Sequence, residues 1–490
     1  MTAPAYRTVI GLEVHVQLLT RSKLFCGCRT QFGLPPNTAT CPVCLGMPGV
    51  LPVMNRRAFD LALRAALALD CEIAPFTKWD RKNYFYPDLP KNFQTSQYDL
   101  PLGLEGRLKI ETGSGPKEVG IIRCHLEEDA GKLVHDETGG GADSLVDLNR
   151  SGTPLLEIVG KPELSSPEEA RVYLETMREL MRDIGVSDCE MSQGSIRCDA
   201  NVNVHVSLPD GSVVATPIVE IKNLNSFRFL ERSIRYEAQR QYEQFQRDPH
   251  YTIDEAPKST AGWDEVRGVT VFQRQKELAA DYRYFPEPDL VPVVVDAAWL
   301  DRIRAETGEL PTALRRRLST QYALNDYDVG VLIALGRPTV RYFEEAAMSS
   351  ADAKAACNWV TNTVKVSLDK LGVPIDAFPL PAARLGELIA RQKQLGRQAT
   401  LDIYEKLLAS GGTVADAIAA HGVPVVSDTS AVVEIVRRAM GANPKAVADY
   451  RKGKKAAANS IKGAIMRETR GAVSVEVVQE VLEAELNKAE

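Results

Sequence analysis

Residues Ser195–Val206 read SIRCDANVNVHV, and their alternation decides the fold of the first part of the chain. Ile196, Cys198, Ala200, Val202, Val204 and Val206 are apolar, while Arg197, Asp199, Asn201, Asn203 and His205 between them are polar. Successive side chains of a strand point to opposite faces, so the first set can pack on a core while the second lines one surface. The pattern recurs outward from there. Leu12–Leu18 places Glu13, His15 and Gln17 on one face, and Ile122–Glu127 does the same with Arg123, His125 and Glu127, followed at once by Glu128 and Asp129. A solvated strand face is more usually Thr, Ser and Lys. Carboxylates, imidazoles, Arg and Asn on several strands predict a polar cavity over an antiparallel sheet.

At 490 residues the chain is long enough for two to four domains, each with its own core. Its 44% hydrophobic and 25% charged residues are ordinary for a soluble globular protein. No apolar run approaches the roughly eighteen residues that span a bilayer, and the opening MTAPAYRTVIGLEV lacks the basic and apolar regions of a signal peptide. Nine cysteines are too sparse for a disulfide scaffold, which points to a reducing cytoplasm. The net charge of -6 argues against a uniformly basic nucleic-acid binder. Between Lys445 and Arg470, however, eight Lys or Arg stand against two acids. That patch reads either as a phosphate-backbone footprint or as a solvated helix face.

Residues 1–295 are rich in alternating segments, Gly and Pro. A helix is expected from Pro167 to Ile184, with Ser166 as N-cap, Glu169 closing a capping box and Gly185 ending it. Another follows Ser226, with Phe229, Ile234, Tyr242 and Phe245 along one stripe, and Tyr284–Val295 reads as a closing strand. From residue 296 onward the period is helical. Gly411 and Gly412 mark an expected hinge, dividing a helical domain at 296–410 from a small tail at 411–490.

The most specific local pattern is Cys26-x-Cys28, then twelve residues, then Cys41-x-x-Cys44. Two close pairs joined by a loop suit a tetrahedral zinc site, and four thiolates leave no open position for catalysis. Reduced, buried cysteines are the competing reading; the other five cysteines are expected in the core. Glu13 with His15, Glu127 with Glu128, Glu157, and Asp199 lie on four separate strand-like segments. Such oxygen-rich donors favour Mg²⁺ or Mn²⁺, which could bridge ATP phosphates; scattered surface charge is the alternative. No Walker A sequence, no G-x-G-x-x-G after a strand and no G-x-S-x-G elbow is present. Between Trp79 and Leu102, Arg81, Lys82 and Lys91 interleave with Tyr84, Phe85, Tyr86 and Phe93. This mixture suits a single-stranded nucleic-acid end, or else a Pro-rich core loop.

Seven ordered motifs then carry a resemblance. They are GLEVHVQL (11–18), RKNYFYPDLPKNFQTSQYDLP (81–101), HLEEDAGKL (125–133), DLNRSGTPLLEIV (147–159), MSQGSIRCDANVNV (191–204), EIKNLNSFRFLERSIRYEAQRQ (220–241) and DYRYFPEPDL (281–290). Across essentially its whole length the chain resembles the B subunits of the bacterial aspartyl/glutamyl-tRNA amidotransferases. The resemblance implies an α+β fold: a glutamine-synthetase-like cradle domain over 1–295, a helical domain and a helical tail. It implies a ligase that phosphorylates the side-chain carboxylate of Glu-tRNA(Gln) or Asp-tRNA(Asn) with ATP and amidates it with ammonia. The ammonia would come from a glutaminase A subunit, held by a small C subunit, with a non-discriminating synthetase as a further partner. Glu13, His15, Glu127, Glu128 and Glu157 match the family's Mg²⁺ and ATP site, with Arg197 and Asp199 beside the nucleotide. Lys82, Tyr84 and Lys91 match the meeting of ammonia path and acceptor end. Cys26, Cys28, Cys41 and Cys44 match its zinc-bearing members. Arg451, Lys452, Lys454 and Lys455 fall in the part that grips the tRNA body, although AAANSIKGAIMRETRGAVS departs from the family's usual tail. Two rival readings are a stand-alone ligase joining ammonia to a small carboxylate, and a non-catalytic tRNA-binding scaffold.

Overall fold

The alternating stretch becomes the middle of a large sheet. The computed structural model describes residues 6–135, 144–275, 282–421, 429–469 and 475–488. In chain order the strands are β1 (Tyr6–Gln17), β2 (Glu72–Ile73), β3 (Phe76–Thr77), β4 (Asp80–Asn83), β5 (Phe93–Ser96), β6 (Gly103–Thr112) and β7 (Gly115–Glu128). They continue as β8 (Lys132–His135), β9 (Ser144–Asp147), β10 (Pro154–Gly160), β11 (Ile196–Ser207), β12 (Val213–Ala215) and β13 (Val219–Lys222). Last come β14 (Ser259–Asp264), β15 (Val269–Gln275), β16 (Phe285–Pro286) and β17 (Val293–Val294). Among the described residues the main sheet runs β15-β14-β13-β11-β1-β10-β7-β6-β2, with β12 beside β11.

Every pair in this sheet is antiparallel except β13 with β14. The antiparallel sheet expected from the sequence thus includes one parallel pair. A parallel pair needs a crossover, and the helix α3 (Phe227–Arg247) between β13 and β14 supplies it. Helices α1 (Arg56–Ala68) and α2 (Pro167–Asp183) join α3 against the apolar face, where Ile196, Cys198, Ala200 and Val202 of β11 are buried with Leu12, Val14 and Val16 of β1. The polar set of each strand is left on the other face.

Ser166 caps α2 by accepting from the Glu169 N–H at 3.1 Å, as its sequence suggests. The return half of the box closes one residue earlier: the Glu169 carboxylate accepts from the Ser165 N–H at 2.8 Å. The stripe of α3 differs more. Its buried side is Leu230, Ser233, Ile234, Glu237, Ala238 and Gln241, while Tyr242 and Phe245 pack in a small separate cluster with Val204 and Val206. Glu237 is tolerated there because Arg240, Gln241 and Thr270 donate to it. The expected strand at Tyr284–Val295 is instead β16 and β17, two residues each, pairing with β4 and β3. Pro286, Pro288 and Pro292 lack the N–H that a longer ladder needs.

The chain divides into two compact units, residues 1–310 and 311–490. Helix α4 (Ala297–Thr307) packs into the first unit's core through Ile303, Trp299 and Leu300, so that unit extends beyond residue 295. In the second unit one core gathers residues from Leu314 to Val414 and another from Val432 to Leu486. Val414 is fully buried in the first of these, with Ala417 and Ile418 against it. The helix after Gly411 and Gly412 therefore packs on that core, while the two glycines themselves are exposed. Of the five cysteines outside the four-cysteine pattern, Cys71, Cys124, Cys189, Cys198 and Cys357, all are buried, as expected.

Candidate active site

Strand register builds the site. Directly opposed residues of antiparallel strands point to the same face. His15 of β1 lies opposite Glu157 of β10 on one side and Arg197 of β11 on the other, and Glu157 lies opposite His125 of β7. One row therefore reads Arg197, His15, Glu157, His125. The neighbouring row holds Asp199, Glu13, Val159 and Arg123. Glu127, two residues along β7 from His125, completes the group.

His15 Nε2 is 3.4 Å from Glu13 Oε1 and 3.7 Å from Glu157 Oε2; His125 Nε2 is 3.5 Å from the same Glu157 oxygen. Glu13, His15 and Glu157 can present ligand atoms within 4.8 Å of one another, and so can His125, Glu127 and Glu157. Glu157 is common to both triads. Burial works against charge on His15, but its hydrogen bond to Glu157 and the carboxylates of Glu157, Glu13 and Glu127 prevail and raise it to about 9. Burial pushes His125 down to about 4 despite Glu157. Burial and the Glu157 charge lift Glu127 to about 7, against the pull of Lys82 and His15. Glu157 itself is held well below the usual carboxylate range: burial opposes this, and His125, His15 and Lys82 outweigh it.

Two atoms in this cluster are unexplained by protein contacts. His125 Nδ1 and Glu127 Oε2 are buried, and among the described residues neither has a hydrogen-bond partner. A buried orphan costs roughly 1–3 kcal/mol unless something meets it. Carboxylates and imidazoles converging on such atoms fit a divalent cation of the Mg²⁺ or Mn²⁺ kind.

Glu128 is not brought into this group. Consecutive strand residues face opposite ways, so Glu128 turns from Glu127 and forms an ion pair with Lys91, accepting also from the Thr95 N–H at 3.2 Å. Arg197 makes a two-pronged bond to Asp129, 2.9 Å on each prong, and Asp199 pairs with Lys222 of β13 at 2.5 Å. Lys82 of β4 lies on the acidic side: burial opposes its charge, but Glu127 and Glu157 hold the ammonium on, and its Nζ sits 5.0 Å from the Tyr282 ring. The Tyr84 hydroxyl donates to Gln94 Oε1 at 3.2 Å. Lys91 lies with Glu128 in a separate cavity of about 250 Å³, whose wall also includes Arg81, Phe25, Cys26, Cys44 and Gly46.

The four expected cysteines converge, with ligand sulfurs within 4.8 Å of one another. The Cys44 thiol is pulled to about 5, first by its hydrogen bond with Cys26; burial opposes this, while the Cys41 backbone and Lys23, whose Nζ is 3.6 Å away, assist. This donor set fits Zn²⁺ and closes its coordination.

Comparison with known proteins now adds to this geometry. A family model described as the GatB/GatE catalytic domain matches residues 8–301, and one described as the GatB domain matches residues 341–486. The chain belongs to the GatB family. A relative from Rhodopirellula baltica, named as the B subunit of an aspartyl/glutamyl-tRNA(Asn/Gln) amidotransferase, is 48% identical over 479 residues, covering 97% of this chain and 96% of its own length. Relatives of the same name from Moorella thermoacetica and Carboxydothermus hydrogenoformans are each 46% identical, covering 98% and 99% of this chain and 100% and 99% of their own lengths.

For this GatB-family chain, sequence reasoning passed over His125 as a ligand although it stands on the same strand face as Glu127. Its signal was the period of two; what was lacking was the register that sets it opposite Glu157. Lys222 and Glu220 were likewise unassigned, and they border the face through Asp199. In the second unit Arg451, Lys452, Lys454 and Lys455 are all exposed around the end of the helix Pro444–Arg451, Lys454 lying 3.5 Å from Asp449. No helix among the described residues is long and apolar enough to cross a membrane.

Proposed function

We propose that the chain is the cytoplasmic, tRNA-engaging component of a tRNA-dependent amidotransferase that converts Glu-tRNA(Gln) or Asp-tRNA(Asn) to the amide. Within it, we assign catalysis to residues 1–295 and tRNA binding to the basic tail. The observation that carries this reading is the five-residue cluster of Glu13, His15, His125, Glu127 and Glu157, in which two buried atoms have no hydrogen-bond partner among the described residues, in a chain of this family. Those residues would hold Mg²⁺, with Arg197 and Asp199 beside the ATP. When bound, the cation would draw negative charge from the triphosphate and so favour phosphoryl transfer.

The side-chain carboxylate of the aminoacyl group attacks the γ-phosphorus, its new O–P bond replacing the bond to ADP. Hydroxide is a poor leaving group and phosphate a good one, so this step makes the carbonyl carbon attackable. Ammonia then forms the C–N bond, phosphate departs with the C–O electron pair, and the nitrogen loses a proton. Lys82 presents a fixed positive charge beside Glu127 and Glu157, where phosphate oxygens would gather. Ammonia attacks only as the free base, which favours delivery along a water-poor path. The cavity holding Lys91 and Glu128 suits such a path from a glutaminase A subunit fastened by a small C subunit, and we assign Tyr84, on the same hairpin as Lys91, to its meeting with the acceptor end. Cys26, Cys28, Cys41 and Cys44 would hold a structural Zn²⁺.

A stand-alone ligase and a bare scaffold are both disfavoured by full-length similarity to amidotransferase subunits and by the acidic cluster. The test is to purify the chain with its neighbours and supply each mischarged tRNA with ATP and ammonium. Amide formation dependent on both ATP and tRNA is expected. Turnover of free glutamate without tRNA would instead select the stand-alone ligase.

A further inference from the structure

Beside the acidic face stands a group of tyrosines, and most of them have no role so far. Tyr98 follows β5, and Tyr284 immediately precedes β16, in the small sheet that also holds β4 and Lys82. Their rings lie 3.9 Å apart and 7° from parallel. Tyr284 meets Tyr282 edge-on at 6.0 Å, Tyr282 meets Tyr84 at 5.9 Å, and the Lys82 ammonium is 5.0 Å from the Tyr282 ring. The Tyr284 phenol lies within electrostatic reach of Lys82, Glu127 and Glu157. A continuous run of rings therefore leads from Tyr98 to the place where the carboxylate is to be activated. Although Tyr284 covers one ring face, Tyr98 remains 38% exposed.

The backbone is held to make this arrangement. Tyr98 donates its N–H to Asp80 Oδ2 at 3.1 Å. Arg283, between Tyr282 and Tyr284, has φ of 50°, and Asn83 Nδ2 donates to its carbonyl at 2.8 Å. A non-glycine residue in the left-handed region is strained, and such strain concentrates at functional sites.

We propose that the stacked Tyr98–Tyr284 pair is the platform for the terminal adenosine of the aminoacyl-tRNA. This rests on the function proposed above and names where its substrate's end lies. A single-stranded end offers an open base face, and aromatic rings bind such faces by stacking. The aminoacyl ester hangs from the ribose of that nucleotide, so a base seated on Tyr98 sends the side-chain carboxylate along the ring run toward Lys82. The polar face is wide enough for ATP elsewhere: from β13 to β7 is four strand spacings, about 19 Å.

The test uses the assembled complex with ammonium as nitrogen source. Tyr98→Leu is expected to raise KM for charged tRNA about tenfold, within the range for losing one base–aromatic stack, with KM for ATP unchanged. Tyr98→Trp keeps the wild-type KM. In competition binding, deacylated tRNA with its terminal adenosine should bind wild type more tightly than the same tRNA trimmed of it, and Tyr98→Leu should remove the difference. Equal binding of trimmed and intact tRNA to wild type overturns the proposal without any variant. A raised KM for ATP in place of tRNA also overturns it, because the stacked base is then the nucleotide's. Absence of amidation by wild type would count against the proposed function, so the two failures are distinct.

Discussion

Glu157 is the residue on which the cluster turns, because its carboxylate lies against both imidazoles and belongs to both triads. Glu157→Gln should lower ATP-dependent amidation about a hundredfold or more while the far-ultraviolet spectrum is unchanged; activity within about threefold of wild type would remove it from the site. Glu128→Gln should behave differently, since Glu128 faces Lys91 and the cavity. Glutamine-driven amidation is expected to fall severalfold more than ammonium-driven amidation, and equal losses would place Glu128 at the chemistry. Protonation gives an independent check. The neighbouring carboxylates raise His15 to about 9, and burial and the Glu157 charge raise Glu127 above the usual carboxylate range, so both hold protons to higher pH than free side chains do. A cation needs both ligands deprotonated, so its affinity should rise with pH up to about 9. Calorimetry in buffers of different ionisation enthalpy should find net proton release on Mg²⁺ binding at pH 7. Release of none would deny these residues as ligands.

At the scale of elements, the cysteine loop and the β4–β5 hairpin are joined by one close approach. Gly46, two residues after Cys44, has φ of 67°, and a Cβ there would come 2.6 Å from Lys91 Cγ and 3.2 Å from its Cα. The loop therefore holds the stem of Lys91, whose ammonium pairs with Glu128. Gly46→Ala strains the loop and pushes on Lys91, so glutamine-driven turnover should drop while zinc content, measured by metal analysis, stays near one per chain. Loss of zinc together with activity would mean that the loop has simply unfolded. Element pairing also explains which expectations were met. Helix α2 has its start written locally in Ser166 and Pro167, as a cap and a first-turn residue. The stripe of α3 was misjudged because Glu237 and Gln241 are buried by partners on β11 and β15, residues that helical period alone does not reveal.

At the scale of the molecule, two units with separate cores should respond separately to damage. In the second unit Gly386 lets the helices Arg337–Ser350 and Ala382–Ala390 meet: a Cβ there would lie 2.5 Å from the Ala346 carbonyl oxygen. Gly386→Val should cost about 1–3 kcal/mol and lower only one of the calorimetric transitions, whereas a shift of both would mean the units melt together. Lys454→Glu with Lys455→Glu should weaken tRNA affinity and flatten its dependence on log salt by up to about two units, with an unchanged slope excluding that patch from the phosphate contacts. The family, the strand-rich first part, the four-cysteine knot and most of the acidic cluster were legible in the sequence. These depend on local period, fixed spacing and uninterrupted motifs, which the chain carries along its length. Only tertiary structure decided that His125 joins the cluster and Glu128 leaves it, that β13 and β14 run parallel, and that Tyr98 stacks on Tyr284. Each of these depends on which strand lies beside which and in what register, a matter settled by contacts between residues tens to hundreds of positions apart.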